Sequence, residues 1–400
     1  MRDTDPETLR TELDRCVKCG MCLPECPTYR LSGNEAESPR GRIALIEGLS
    51  QGRLPGDPAV AHRHLDRCLG CRRCERVCPS GVRYGEIIDA FRQQTRGPAL
   101  AGFGRLVQNA GIQAAAARVA RAVSPALSRP IAPLHRMHLL ASALPATGKA
   151  PAPGLHTTRH TVRGRVGLFA GCTGVAFQAG ALRASVVLLQ AAGYEVLIPQ
   201  RAGCCGALAA HSGDTTTADA LAAANRAAFP AGLDAIVSIA SGCGIQLDSY
   251  APPLPSPHRD ISRFLVECGG LSQAHFTPLQ PGGVHLHTPC SMENVYRGAG
   301  HVRTLLELVP GLVVKTIGDP GQCCGSAGDY MLRYPDTAAE LRRPLIERLH
   351  TDDARILLTS NVGCAMHIAV GSGAAGLDVE ILHPVELLAR QLIREPEPGR

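Results

Sequence analysis

The chain has 400 residues, 45% hydrophobic and 19% charged, a globular composition with room for two or three domains. It contains no run of 18 uncharged apolar residues, which excludes a membrane span, and its first residues lack the apolar core of an export signal, so a cytoplasmic location is expected. Net charge is +6, yet residues 90–194 hold twelve basic and no acidic residues, a segment suited to a lipid surface or an acidic partner, while 4% aromatics without Trp argue against nucleic-acid binding by base stacking.

In chain order, the first feature is a cysteine repeat. Cys16, Cys19, Cys22 and Cys26 recur as Cys68, Cys71, Cys74 and Cys78, each displaced by 52, with Pro27 and Pro79 following the last member of each set. Arg40 and Arg42 follow a proline at a helix start and are expected near the cluster of Cys16, Cys19 and Cys22, raising its potential, or else to be surface charges. Residues 97–162 form a basic linker rich in Ala and Pro. Within it, residues 100–122 have the spacing of an amphipathic helix carrying Arg105, Arg118 and Arg121. Residues 145–161 look like a connector.

A second repeat follows. Cys172, Cys204, Cys205 and Cys243 correspond to Cys290, Cys323, Cys324 and Cys364 at offsets of 118 to 121, which implies two homologous lobes. In lobe one, strands are expected at 165–170, 195–198 and 234–240, with helices at 175–192 and 217–229. In lobe two, strands are expected at 283–287, 312–317 and 355–359, with helices at 301–308 and 337–350. Such alternation predicts parallel sheets with their cysteines beyond the strands' carboxyl ends. Helix 260–268 carries Cys268, which has no partner in the repeat and reads as core. His383 and Pro384 open the last helix and read as structural.

The resulting fold class is α+β and multi-domain. A mainly helical two-cluster ferredoxin-like domain (1–96) and the linker (97–162) precede two α/β parallel-sheet lobes (163–272 and 273–400). Seventeen cysteines in an odd total read as reduced metal ligands rather than disulfides. C-x2-C-x2-C-x3-C-P is the spacing of ferredoxins with two 4Fe–4S clusters, in which the fourth cysteine reaches the other cluster. Cluster one is then held by Cys16, Cys19, Cys22 and Cys78, and cluster two by Cys68, Cys71, Cys74 and Cys26. Zinc is the alternative, but such a run leaves one thiolate over. Amides near Gly20 and Gly70 are expected to donate to the sulfurs. No nucleotide fingerprint or catalytic triad stands out, so the chain reads as an electron carrier without its own substrate chemistry.

Two stretches, RCVKCGMCLPECPTYRLSGNEAESPRGRIALIEG and DRCLGCRRCERVCPSGVRYGEIID, closely resemble the iron–sulfur subunit family of bacterial glycolate oxidase (glycolate dehydrogenase). The two lobes resemble that family's cysteine-rich CCG domains, shared with heterodisulfide reductase and anaerobic glycerol-3-phosphate dehydrogenase subunits. The resemblance implies an FAD-binding partner subunit that oxidises glycolate. It also implies a quinone or other acceptor, and peripheral association with the inner face of the cell membrane. D-lactate or glycerol 3-phosphate are alternative substrates of the same architecture, and a thiol–disulfide enzyme is a further one. The full CCG motif ends in CxxC, whereas these lobes end in Cys243-Gly-Ile-Gln246 and Cys364-Ala-Met-His367. Four thiols in each lobe, Cys172, Cys204, Cys205 and Cys243 or Cys290, Cys323, Cys324 and Cys364, are candidates for a further cluster or zinc. His285, His287 or His367 could complete a lobe-two site. The alternative is that these cysteines are small buried residues.

Overall fold

The computed structural model describes residues 6–95, 148–279 and 283–393, together with the single residue 115. The amphipathic stretch at 100–122 and its neighbouring prolines lie almost wholly outside the described residues. Among those described, no helix is long and apolar enough to cross a membrane.

The N-terminal part consists of short helices: Pro6–Asp14, Pro27–Ser32, Pro39–Ser50, Pro58–Asp66, Arg73–Arg76 and Tyr84–Thr95. Pro27, Pro39 and Pro58, like Pro6, stand at the first position of their helices, where the missing N–H costs nothing. Ser38 and Asp57 cap two of these by accepting from Gly41 N and Ala59 N. The helices close around Leu9, Leu13, Ile43, Ile46, Leu65, Ile87 and Ile88. The cysteine loops hang between them.

Two sheets follow. The first holds β1 (Gly154–His156), β2 (Gly164–Phe169), β3 (Tyr194–Ile198), β4 (Ala235–Ser238) and β5 (His258–Asp260), in the order β1-β3-β2-β4-β5. The second holds β6 (Val284–His287), β7 (Val314–Thr316), β8 (Ile356–Thr359) and β9 (Glu380–Leu382), in the order β7-β6-β8-β9. All pairings are parallel except β1 with β3. Without β1, the two sheets have the same order, as homologous lobes require. The cysteines lie in the loops and helix starts beyond β2, β3 and β4, or beyond β6, β7 and β8. In each sheet strand order reverses there, which is where open α/β sheets bind ligands.

Two local differences from the sequence reading have physical causes. The connector at 145–161 contains strand β1. Thr158 Oγ1 donates to Gln190 O at 2.7 Å and Gln190 Nε2 donates to Thr157 O at 2.7 Å, which pins the segment along the sheet edge. The single helix expected at 175–192 is two, Cys172–Phe177 and Ala179–Ala191, because Gln178 leaves the helical basin at φ −127 and ψ 36.

The lobes share one core. Leu182, Leu188 and Leu189 of lobe one pack with Leu305, Val309, Val385 and Leu388 of lobe two. His383 strengthens this junction. Its Nε2 donates to Ile239 O at 2.8 Å, and its Nδ1 accepts from Val385 N at 3.2 Å as a helix cap. Cys268 is half-buried at the edge of the same core, in helix Ile261–Cys268.

Candidate metal centres

In each ferredoxin-type loop, two backbone positions turn left-handed. They are Lys18 (φ 56) and Gly20 (φ 85) in the first, and Gly70 (φ 61) and Arg72 (φ 55) in the second. The offset of 52 maps Lys18 onto Gly70 and Gly20 onto Arg72. A left-handed residue beside each middle cysteine reverses the chain locally. Thiols at i, i+3 and i+6 are thereby turned to one side.

The chain then crosses over. Cys16, Cys19, Cys22 and Cys78 ring one cavity of about 300 Å³. Cys26, Cys68, Cys71 and Cys74 ring another of about 310 Å³. These are the two groups expected from spacing. The first crossover is stapled by the buried carboxylate of Glu12, which takes Arg83 N at 3.0 Å and Arg83 Nη2 at 2.7 Å. Although burial opposes its charge, these bonds hold the Glu12 carboxyl below its usual range. Arg92 fastens the second by donating to Cys68 O at 2.8 Å.

The donor set suits a multi-iron group. Thiols surround a cavity rather than a point, and among the described residues no three His, Cys, Asp or Glu side chains converge on a single-ion position. Backbone amides already face the sulfurs: Gly70 N lies 3.4 Å from Cys68 Sγ, and Val82 N 3.4 Å from Cys78 Sγ. Burial pushes the Cys22, Cys71 and Cys74 thiols up. Thiolates there need a cationic centre to balance them.

Arg40 and Arg42 part company. Arg40 borders the first cavity, donating to Lys18 O at 2.9 Å. Arg42 instead borders the second, which corrects its placement beside cluster one. It is 1% exposed, pairs with Glu37 at 2.6 Å, and places Nη1 3.9 Å from Cys26 Sγ. Successive positions i and i+2 on a helix diverge by about 200°, so one helix serves both cavities.

The cavities differ in exposure. Cys19 is exposed at the first, with Val17 at 68% and Met21 at 56% on its rim. At the second, Cys26, Cys68 and Cys74 are buried, and the Cys71 loop touches lobe two. Asn294 Nδ2 donates to Cys71 O at 2.8 Å, and Arg76 reaches Glu293 at 3.5 Å. Cys71 and Cys290 are close enough to feel each other's charge, as are Cys71 and Cys323.

Each lobe gathers its four cysteines. In lobe one, Cys172, Cys204, Cys205 and Cys243 form a hydrogen-bonded row of thiols. A hydrogen bond from Cys172 lowers the Cys204 thiol, but Cys205 and burial push it up to about 12. In lobe two, Cys290 meets Cys323, and Cys324 Sγ lies 2.8 Å from Cys364 Sγ. Gly206 (φ 84) and Gly325 (φ 87) turn the chain after each Cys-Cys pair. Their amides approach Cys204 Sγ at 3.4 Å and Cys323 Sγ at 3.5 Å.

Two of the candidate histidines have partners other than the thiols. His367 is engaged at both nitrogens, by Arg342 Nη1 at 3.2 Å and Ala338 O at 3.1 Å. His285 pairs with Asp352 at 3.1 Å. His287 Nδ1 meets Thr359 Oγ1 at 3.0 Å, leaving its Nε2 without a partner. Supporting residues that sequence reading missed include Asn225 and Tyr250, which bond Cys204 O and Cys205 O at 2.8 Å each. A buried Asn inside an otherwise Ala-rich helix, Thr215–Ala228, was the available signal.

Fold and thiol grouping together define an iron–sulfur protein: a ferredoxin-type part joined to a duplicated cysteine-rich α/β part. The family described as a 4Fe-4S dicluster domain matches residues 12–82. The family described as a cysteine-rich domain, CCG, matches 166–248 and again 284–369. Among whole proteins, the glycolate oxidase iron-sulfur subunit of Escherichia coli (strain K12) is 32% identical over 408 residues, covering 96% of this chain and 95% of its own length. A Bacillus subtilis (strain 168) relative is 31% identical over 424 residues, covering 94% of this chain and 93% of its own. Lactate utilization protein A of Geobacillus thermodenitrificans (strain NG80-2) is 27% identical over 237 residues, 56% of this chain and 98% of its own length. The chain belongs to the glycolate oxidase iron–sulfur subunit family.

Proposed function

We propose that this chain is the electron-transfer subunit of a complex that oxidises glycolate to glyoxylate. In this reading Cys16, Cys19, Cys22 and Cys78 hold one 4Fe–4S cluster, and Cys26, Cys68, Cys71 and Cys74 hold another. The clusters, when bound, accept and pass on one electron at a time. The chain's own residues bind them, supply amide donors to the sulfurs, and set their exposure. The single observation that carries this reading is the pair of four-thiol cavities, one with Cys19 exposed and the other meeting lobe two at Cys71. An open redox site bordered by Val17 and Met21 suits docking of an FAD-bearing partner subunit, which would supply the hydride chemistry. The second site meets lobe two at Cys71 and leads towards the eight lobe cysteines, candidates for further cluster or zinc sites, and then to a quinone or another acceptor.

The substrate resides in the partner. The E. coli relative's name supports glycolate, and lactate is the second reading, favoured by the relative named for lactate utilization. The basic segment within 90–194 supports peripheral attachment to the inner face of the membrane. Domain limits of 1–96, 163–272 and 273–400 agree with this division of labour. The test is reconstitution. The iron-loaded chain mixed with an FAD-bearing glycolate oxidase subunit should pass electrons from glycolate to a quinone analogue. Transfer with D-lactate alone would replace the substrate assignment, and no transfer with any 2-hydroxy acid would remove it.

A further inference from the structure

One side chain joins the ferredoxin-type part to lobe two at the thiols themselves. Asn294 is 6% exposed and lies in the π-helical turn Ser291–Tyr296, which begins directly after Cys290. Its Nδ2 donates to Cys71 O at 2.8 Å and to Gly321 O at 3.3 Å, and its Oδ1 accepts from Arg76 Nη1 at 3.2 Å. Cys71 is a thiol of the second cavity, and Gly321 stands two residues before Cys323. The whole amide is therefore spent on one junction between two thiol sets. Gly321 is shaped to admit it, since a Cβ there would sit 2.4 Å from Asn294 Oδ1. Isolated π turns concentrate at functional sites because they shift one side chain out of helical register.

Plain packing does not call for an amide here. Burying one costs free energy that its hydrogen bonds only just offset, and an apolar residue would fill the space. The lobes also differ at this point. At the offset of 118 that relates Cys172 to Cys290, Asn294 corresponds to Ala176, which cannot bridge. Ion pairs flank the junction, Arg76 with Glu293 at 3.5 Å and Arg73 with Asp319 at 3.8 Å.

We propose that Asn294 is the positioning residue that holds the Cys71 loop against the Cys290–Cys323 face, so that lobe two rather than lobe one takes electrons from the second ferredoxin-type site. The step is a single-electron transfer: the donor site is oxidised by one electron, the lobe-two site is reduced by one, and no bond forms or breaks. This rests on the reading under which both sites hold clusters.

The test uses the full chain loaded with iron and sulfide, reduced stepwise and followed by low-temperature EPR. In the wild type, the signal of the Cys71 site should be broadened by a paramagnetic lobe-two site. That broadening should vanish in Cys290→Ser and persist in Cys172→Ser. Asn294→Leu should keep its iron content and lose the broadening, with faster amide exchange over residues 68–76. Asn294→Asp keeps the size and the acceptor for Arg76 while removing the donor, and it should give the same loss should the leucine variant misfold. Unchanged broadening in the aspartate variant, or broadening that follows Cys172 instead of Cys290, overturns the proposal alone. Lobes that give no paramagnetic signal in any redox state overturn this proposal alone, and loss of the underlying reading is told apart by the absence of any signal from the Cys71 site itself.

Discussion

The two lobes are the same design in two settings. Both turn their Cys-Cys pair with a left-handed glycine, and both gather four thiols where strand order reverses. Lobe one spends its buried polar groups inward: Asn225 and Tyr250 fix the carbonyls of Cys204 and Cys205 from within. Lobe two spends a comparable buried amide outward, on the Cys71 carbonyl. Under the proposal above, duplication supplies two four-thiol cradles, and the difference between Asn294 and Ala176 couples one of them to the Cys71 site.

This comparison can be broken in several ways. The largest effect should come from the thiols. Cys323→Ser should stop reoxidation of the reduced ferredoxin-type part by lobe two, as seen by freeze-quench EPR, whereas Cys204→Ser should leave that first step intact. Equal loss in both would mean that the lobes are not distinguished.

Next come the paired glycines. An alanine at either position meets left-handed strain of about 1–2 kcal/mol. At Gly325 the new Cβ would also sit 2.6 Å from Ala338 O, whereas at Gly206 its nearest neighbour is at 3.4 Å. Gly325→Ala should thus lower the urea midpoint more than Gly206→Ala. Removal of lobe one's inner clamp is a smaller perturbation. Asn225→Ala leaves the Cys204 carbonyl and the Gly203 N–H without their partner and should cost roughly 1–3 kcal/mol, lowering the melting temperature while leaving the Cys71 EPR signal unmoved.

The junction between the lobes should respond to pH. Burial holds the His383 imidazole down at about 4, against an ordinary value near 6.5. A depressed folded-state value means that stability is complete above about 6.5 and is lost as pH falls towards 4, because the unfolded chain takes up the proton first. Urea titrations between pH 7 and 4 should show this decline, and His383→Gln should lessen it, the rest being due to His287 and His367, which burial likewise holds down at about 4. The smallest effect is expected in the linker. Reversing the charge of Arg118 and Arg121 should weaken sedimentation with anionic vesicles without altering cluster content.

Much of this was legible before any coordinates. The offset of 52 and the two prolines are enough to sort eight thiols into the two groups that the cavities display, because three cysteines at two-residue intervals leave the fourth unable to reach back. The offset near 120 and strand–helix alternation likewise yield two parallel lobes. What escaped reading depends on long-range contact. Arg42 reaches the second cavity because its guanidinium pairs with buried Glu37, and no local pattern announces that. The bond from Asn294 to Cys71 spans 223 positions and has no periodic signature. Strand β1 is three residues long and is held by pairing with β3, with Gln190 fixing Thr157 just beyond it, so its own composition looks like any connector.

The most direct test of the central claim is iron and acid-labile sulfide analysis of anaerobically purified chain, read together with EPR after reduction. Two cubane clusters on the eight N-terminal cysteines require about eight irons and eight sulfides per chain, with more where the lobes are also filled. Cys19→Ser should lower that number by one cluster's worth. Iron-free protein that still passes electrons from its flavoprotein partner at the full rate would contradict the account.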